Sequence, residues 1–279
     1  MANETEKSAL YVVATPIGNL ADITDRAKKV LAEVDFIAAE DTRVSGILLS
    51  KFNIKKSIIN YFEHNKKAAG KRIVEELSAG KSCALVTDAG TPAISDPGTE
   101  LCAQVRENGF KVIPIPGACA AVAALSASGF DSRRFIFEGF LPQNGEKESV
   151  LSSLVNEKRT VIFYEAPHRL KKTLAEFSEA LGRCERRICL ARELTKINEE
   201  FIITTLSEAE AIYSDKEPRG EYVIIIEGTK NDGEKFWENL SVAEHVTFYT
   251  EKGLSKMDAI KACAKDRGVP KNSIYKEML

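Results

Sequence analysis

Residues 85–98 read LVTDAGTPAISDPG, and the parsing of the whole chain turns on them. The run CALVT (83–87) has the apolar character of a short buried strand. It gives way to a loop holding two Gly, two Pro and two Asp, and a helix is expected near 99–108. Glycine lets a backbone approach another group closely, and proline fixes the path of the chain. From Thr87 to Gly98 this loop is twelve residues long. Loops of that length inside compact domains tend to carry function. The plainer alternative is that it only turns the chain, with Asp88 and Asp96 closing local Asx turns.

Outward from this loop, short apolar runs alternate with helix-period segments. Strands are expected at 9–14 (ALYVVA), 36–40, 57–61 and 111–115. Helices are expected at 24–33, with Thr24 as N-cap, at 42–52, at 65–79 ending at Gly80, and at 118–128. Such alternation implies a mostly parallel α/β sheet, with ligands bound beyond the carboxyl ends of its strands. Two further Pro/Gly loops follow strands there, 14–20 (ATPIGNL) and 115–121 (IPGACAA). Three such loops at one end of one sheet favour a ligand site over simple turns.

Gly129 and Asp131 mark a boundary. Beyond it, strands at 134–140, 159–166, 186–194, 200–206 and 221–228 carry fewer helices between them (146–156, 168–181, 207–213), a mixed α+β pattern. The tail reads as helical, with Gly253 and Pro270 separating short helices in a helix-turn-helix-like appendage. The expected organisation is an α/β domain at 8–129, a mixed domain at 130–230 and a helical appendage at 235–279.

The 279 residues are 44% hydrophobic and 29% charged, with net charge -2 and pI near 6.1. That balance exerts no overall pull on nucleic acid, so RNA binding would need a local basic patch. Six cysteines form no C-x-x-C pair, and three histidines are scattered, so no metal site is expected. MANETEKSAL lacks the blocks of a signal peptide, and no apolar run approaches the ~18 residues of a membrane helix. The expectation is a cytoplasmic protein with free thiols. There is no G-x-G, no P-loop and no G-x-S-x-G elbow.

The segments LYVVATPIGNLADIT (10–24), AAEDTRVSGILL (38–49), YFEHN (61–65), LVTDAGTPAISDPG (85–98), PIPGACAAVAALSASG (114–129), FYEAPHRL (163–170) and ARELTK (191–196) resemble the tetrapyrrole-methylase superfamily. Within it they are most similar to the branch that methylates the 2′-oxygen of a cytidine in small-subunit ribosomal RNA. The resemblance covers most of the chain. It implies a two-domain fold with S-adenosylmethionine (SAM) in a cleft between domains. Pro16, Asp88, Ile94, Ser95, Asp96, Thr99, Cys119, Ala120, Tyr164 and Glu165 match cofactor-binding positions. Ser95 stands where tetrapyrrole enzymes often have Gly. Thr15-Pro16-Ile17-Gly18-Asn19 replaces their G-x-G-P-G-D, which favours the ribosomal RNA branch. The implied partners are ribosomal RNA or the small ribosomal subunit and a second copy of the chain, with no membrane and no metal.

Methyl transfer from a sulfonium is an in-line displacement, so alignment supplies much of the rate and a base near the acceptor hydroxyl helps. Candidate bases are Glu165, Glu193, His64, and Lys196 if its pKa is depressed. Arg43, His64, His168, Arg169, Arg192 and Lys196 are candidate RNA contacts, and the tail's Lys256, Lys261, Lys265, Arg267, Lys271 and Lys276 form a candidate basic stripe. Each has an ordinary alternative. Glu193 and Arg192 read as an ion pair, and His64 as a loop residue with local partners. His168-Arg169 read as a helix start, Glu40-Asp41 as helix caps, and Cys119 as packing. Lys171, Lys172, Arg183, Arg186 and Arg187 read as a solvated face. A tetrapyrrole acceptor and a noncatalytic RNA-binding protein stay open as competing functions.

Overall fold

The computed structural model describes residues 5–182, 186–229, 237 and 240–278; Arg183 and Cys184 lie outside them. The chain divides into two compact units, Met1–Thr229 and Lys230–Leu279.

In the first unit, β1 (Ala9–Val13), β2 (Phe36–Ala39), β3 (Ser57–Asn60), β4 (Cys83–Val86) and β5 (Lys111–Ile115) form a parallel sheet in the order β3-β2-β4-β1-β5. Buried alternate residues feed two apolar layers. One is built on Tyr11, Ile37 and Ala84, the other on Leu10, Ala38 and Leu85. Both faces are thus covered by the helices α1 (Asp25–Glu33), α2 (Thr42–Lys51), α3 (Lys66–Ser78) and α4 (Thr99–Glu107). Thr24 caps α1, its hydroxyl accepting from the Ala27 N–H at 3.0 Å. Chain connections leave the adjacent strands β1 and β4 in opposite directions, which opens a crevice at their carboxyl ends.

A second sheet has the order β6-β7-β10-β8-β9, from β6 (Phe135–Phe140), β7 (Thr160–Glu165), β8 (Arg187–Arg192), β9 (Glu200–Thr205) and β10 (Tyr222–Ile226). β6 and β7 are parallel, joined through α6 (Glu146–Val155), and the other pairings are antiparallel. One face packs on α7 (Pro167–Ala180) and α8 (Leu206–Ser214). The other receives α5 (Ala120–Ser128), whose Ala121, Ala124 and Leu125 meet Ile162, Ala191 and Val223. So α5, the last helix of the first half, packs on the second sheet. Its small side chains allow that close approach, and Gly129, at φ 72°, turns the chain out of it.

The second unit contains α9 (Val242–Glu251), α10 (Lys256–Arg267) and α11 (Lys271–Glu277) around Val246, Ile260, Cys263 and Ile274. His245 is fully buried, its Nε2 3.2 Å from Asp266, and the Arg267 Nε donates to its Nδ1 at 3.1 Å. Burial holds its pKa below the ordinary histidine value. Arg267 therefore braces this core, also donating to the Leu240 carbonyl at 2.5 Å, and does not belong to an exposed stripe. Lys256, Lys265, Lys271 and Lys276 are exposed, and Lys261 pairs with Asp258 at 2.9 Å.

Candidate functional site

The loops after β1, β4 and β5 converge on a cavity of about 460 Å³, within the usual range for small-molecule sites. The first two loops are stitched together at their base. Thr15 N–H donates to the Gly90 carbonyl at 2.8 Å, and Gly90 N–H returns a bond to Thr15 at 3.2 Å. Thr91 Oγ1 donates to the Ala118 carbonyl at 2.9 Å, tying in the third. The β4 loop is wound tightly, with Ala93 (φ 66°) and Ser95 (φ 68°) both left-handed without being glycine. Such backbone is sparsely populated and gathers at binding sites. Gly98 is required there. Its φ is 154°, and a Cβ would meet Ala93 and Leu85 at 3.0 Å.

The second sheet supplies the opposite wall. Tyr164 accepts the Ala121 N–H at 3.1 Å and lies edge-on to Phe137 and Phe140, with centroids 4.9 and 5.9 Å away. Burial raises its pKa, keeping the phenol neutral. Of the residues expected to bind cofactor, Asp88, Ile94, Ser95, Asp96, Cys119, Ala120, Tyr164 and Glu165 line this cavity. Pro16 instead lines an adjoining hollow of about 350 Å³, and Thr99 lines neither, since it opens α4.

Glu40 also lines the cavity. It does not cap α2. That role belongs to Asp41 alone, whose extended backbone lets its carboxylate accept the Arg43 N–H at 2.8 Å. Register explains the position of Glu40. Ala39 pairs with Val86, so the next residues, Glu40 and Thr87, emerge side by side, and Thr87 Oγ1 donates to Glu40 at 3.0 Å. Nearby, burial first and then the Glu40 charge push the Asp96 pKa up to about 6. Burial also raises that of Asp88, against the Asp41 N–H donated to it at 3.2 Å. Among the described residues no Lys, Arg or His lines the cavity; of its five carboxylates, Glu165 and Glu221 pair with Arg169 and Lys196, which lie outside the lining, and Glu40, Asp88 and Asp96 form no ion pair with a residue lining it. Among the described residues no group of His, Cys, Asp or Glu is arranged to hold a metal ion.

The candidate bases are engaged. Glu165, 2% exposed, accepts the Thr173 hydroxyl at 2.6 Å and the Ala166 N–H at 2.9 Å, with Arg169 Nε at 3.3 Å. It anchors the start of α7. Glu193 accepts from Lys196 Nζ at 2.8 Å and from the Glu221 N–H at 3.1 Å, and the Lys196 bond holds its pKa low. Lys196 donates also to Glu221, at 2.9 Å. Burial alone would lower the lysine pKa, but its hydrogen bonds to Glu193 and Glu221 outweigh this and raise it. The depressed pKa that a lysine base requires is therefore absent, because the neighbours are two carboxylates rather than cations. Lys196 and Glu221 line the adjoining hollow, and Asp88, Ile17 and Glu221 border both spaces.

The expected RNA contacts are dispersed around this mouth. Arg43 is 87% exposed and paired with Asp41 at 2.6 Å. His64 and His168 are exposed. Arg169 Nη2 donates to the Leu141 carbonyl at 2.7 Å, and Arg192 Nε to that of Arg219 at 2.6 Å, so both guanidiniums brace backbone. Sequence reading missed Glu40, Glu221, Phe140 and Leu194. Glu40 had a signal, as the polar residue ending an apolar strand beside a ligand-side loop, and Leu194 lies inside the ARELTK segment.

A profile of the family described as Tetrapyrrole (Corrin/Porphyrin) Methylases matches residues 9–210. The chain is 46% identical over 277 residues to the protein named ribosomal RNA small subunit methyltransferase I of Bacillus subtilis (strain 168), covering 98% of this chain and 94% of that one. The protein of that name from Escherichia coli O157:H7 is 42% identical over 279 residues, covering 99% and 96%. Among solved structures, a cobalt precorrin-4 methyltransferase superposes with TM-score 0.59 at 19% identity, covering 79% of this chain and 95% of its own. A diphthine synthase does so with TM-score 0.63 at 13% identity, covering 79% and 90%. These two share the fold.

Proposed function

The chain belongs to the tetrapyrrole methylase family, and on that premise we propose that it methylates the ribose 2′-oxygen of a cytidine in small-subunit ribosomal RNA. Its methyl donor is S-adenosylmethionine. The carrying observation is the cavity lined by Glu40, Asp88 and Asp96 without a cation. A sulfonium and an α-ammonium are both positive, and carboxylates in a partly desolvated cleft whose lining holds no cation attract them strongly. Ile17, Ile94, Phe140, Leu194 and Val223 supply the apolar wall that an adenine ring needs. The residues thus fit this cofactor.

When bound, the cofactor supplies a methyl group made electrophilic by positive sulfur. The chain's residues do the rest by positioning. The Pro16–Gly18 loop, α2 and Lys196 border the hollow that opens beside the cavity. The ribose enters there, with its 2′-oxygen directed past Ile17. Glu40, Asp88 and Asp96 would hold the cofactor so that its methyl passes from sulfur to the ribose oxygen, whose hydroxyl proton would be released. Asp88 and Glu221 are the carboxylates that border both spaces and would be the nearest acceptors for that proton. Lys196, fixed by Glu193, orients the ribose–phosphate as a permanent cation, and Tyr164 and Ser95 shape the cofactor end. The names of the full-length relatives at 42–46% identity support the RNA acceptor over a tetrapyrrole. On family resemblance the enzyme is a homodimer.

The test is incubation of the purified protein with methyl-labelled SAM and, separately, small ribosomal subunits, free small-subunit RNA and a corrinoid precursor. Label recovered as 2′-O-methylcytidine after nuclease digestion is the expected result. Label on the corrinoid, or on a base rather than a ribose, would overturn the acceptor assignment.

A further inference from the structure

A basic groove lies far from the methyl-transfer cleft. The cleft sits at the carboxyl ends of β6 and β7, beside Phe140 and Tyr164. The amino ends of the same strands begin at Phe135 and Thr160, which are paired in register. Six strand residues at about 3.3 Å each separate the two ends of β7 by roughly 16–20 Å. At the far end, residues 133–135 and 156–159 border an open groove of about 620 Å³. It holds four cations, Arg133, Arg134, Lys158 and Arg159, and one carboxylate, Glu157.

That carboxylate is committed. Glu157 accepts from Arg159 Nε at 2.8 Å and Nη2 at 2.9 Å, and from its backbone N–H at 2.8 Å. Asp131 accepts the Arg133 backbone N–H at 3.0 Å. Among the described residues the guanidiniums of Arg133 and Arg134 have no carboxylate partner, and both residues are exposed. The groove is held in shape. Thr160 Oγ1 donates to the Asp131 carbonyl at 2.7 Å, and Thr229 N–H to the Glu157 carbonyl at 2.7 Å. Phe135, 40% exposed, lines the groove as well. β8 runs parallel to β7 through β10, so Arg187 begins at this same end, its guanidinium 4.9 Å from the Phe130 ring.

In a chain of net charge -2 this groove concentrates positive charge locally. Clustered cationic side chains beside an exposed aromatic ring match a polynucleotide backbone, with phosphates against the positive charges and a base against the ring. We infer that the groove of Arg133 and Arg134 is a second RNA-binding site that grips phosphodiester backbone remote from the methylated nucleotide. Its distance from the cleft is less than one turn of a duplex, about 34 Å, so one structured RNA reaches both. The inference rests on the RNA acceptor proposed above. The site holds a large folded substrate in place while one nucleotide enters the cleft, which reconciles an acidic protein with an RNA substrate.

The experiment compares wild type with R133E/R134E and R133K/R134K, using unmodified small-subunit ribosomal RNA transcript as probe. Binding is read by fluorescence anisotropy across a salt series, SAM affinity by calorimetry and methyl transfer by label. The charge reversal is expected to weaken RNA binding at least tenfold and to reduce the log–log salt slope by about two, with SAM affinity and melting temperature unchanged. The lysine pair should keep most of the affinity. Unchanged RNA affinity and slope in R133E/R134E overturns the site, as does equal loss in R133K/R134K, because backbone gripping needs charge rather than arginine shape. RNA binding by wild type without methyl transfer would instead count against the proposed reaction and leave the groove to be judged on binding alone.

Discussion

The Asn19 N–H donates to Thr195 Oγ1 at 3.1 Å, joining the loop after β1 to the loop after β8 across 176 residues of sequence. The two loops meet closely, for a Cβ on Gly18 would lie 2.5 Å from Lys196 Cγ and 3.0 Å from the Leu194 carbonyl. Thr195, with φ 66°, and Glu193, with φ 51°, hold left-handed backbone to make this approach. The first sheet's mouth is thereby clasped to the second sheet's mouth beside the cavity.

Substitutions in the clasp should loosen the cleft. Thr195→Ala removes one hydrogen bond worth about 1 kcal/mol net, and SAM affinity by calorimetry should fall roughly five-fold. Gly18→Ala should do more, on the order of 1–3 kcal/mol, because a methyl must push apart two packed loops. Unchanged SAM affinity in both would show that the clasp does not shape the cofactor cleft.

SAM binding should strengthen as pH rises through about 6, where Asp96 ionises. Below that value the carboxyl is neutral and attracts a cation less. The folded pKa lies above the ordinary carboxylate value, so the folded protein binds more protons between roughly pH 4 and 6, and the cofactor-free protein loses stability as pH rises through that window. Asp96→Asn should flatten the affinity profile. It should also raise the melting temperature of the cofactor-free protein at pH 7 by a few degrees, from about 1 kcal/mol after discounting for solvent contact. A pH profile unchanged in the variant would assign the titration to another group.

Glu165→Gln should act on folding. The amide would face the Thr173 hydroxyl and the Ala166 N–H, and would leave Arg169 without its carboxylate. Hydrogen bonds to a charged group contribute about 1.5–3 kcal/mol, so the urea midpoint should drop. A stable variant with abolished turnover would instead make Glu165 a catalytic residue.

Lys196 should remain charged through neutral pH, since Glu193 and Glu221 raise its pKa. The rate of RNA methylation should therefore show no lysine inflection between pH 7 and 9. Lys196→Arg should retain much of the activity, and Lys196→Met should lose about tenfold in kcat/KM for RNA with SAM affinity intact. A rate rising with pH toward 9 that disappears in Lys196→Met would restore the base role.

What the sequence determined by itself was local. Period and punctuation placed β1, β4 and β5 with their Pro/Gly loops, Thr24 as a cap, and the contrast between a parallel first sheet and a mixed second sheet. These follow from residue volume, β-branching and the backbone limits of Gly and Pro, which act within a few residues. The motif at 85–98 carried the fold and the cofactor with it. Tertiary structure decided what depends on strand order and register. β2 beside β4 brought Glu40 to Thr87 and turned an expected helix cap into a wall of the cleft. β10 between β7 and β8 set Tyr222 opposite both Glu165 and Arg192, which carried Glu221 to Lys196 and fixed that lysine as a cation. Pairing of Phe135 with Thr160 gathered four basic residues from two separate loops into one groove. Periodicity along a chain records which face of an element is buried. It does not record which distant element lies alongside, because that neighbour is selected by packing of the whole sheet.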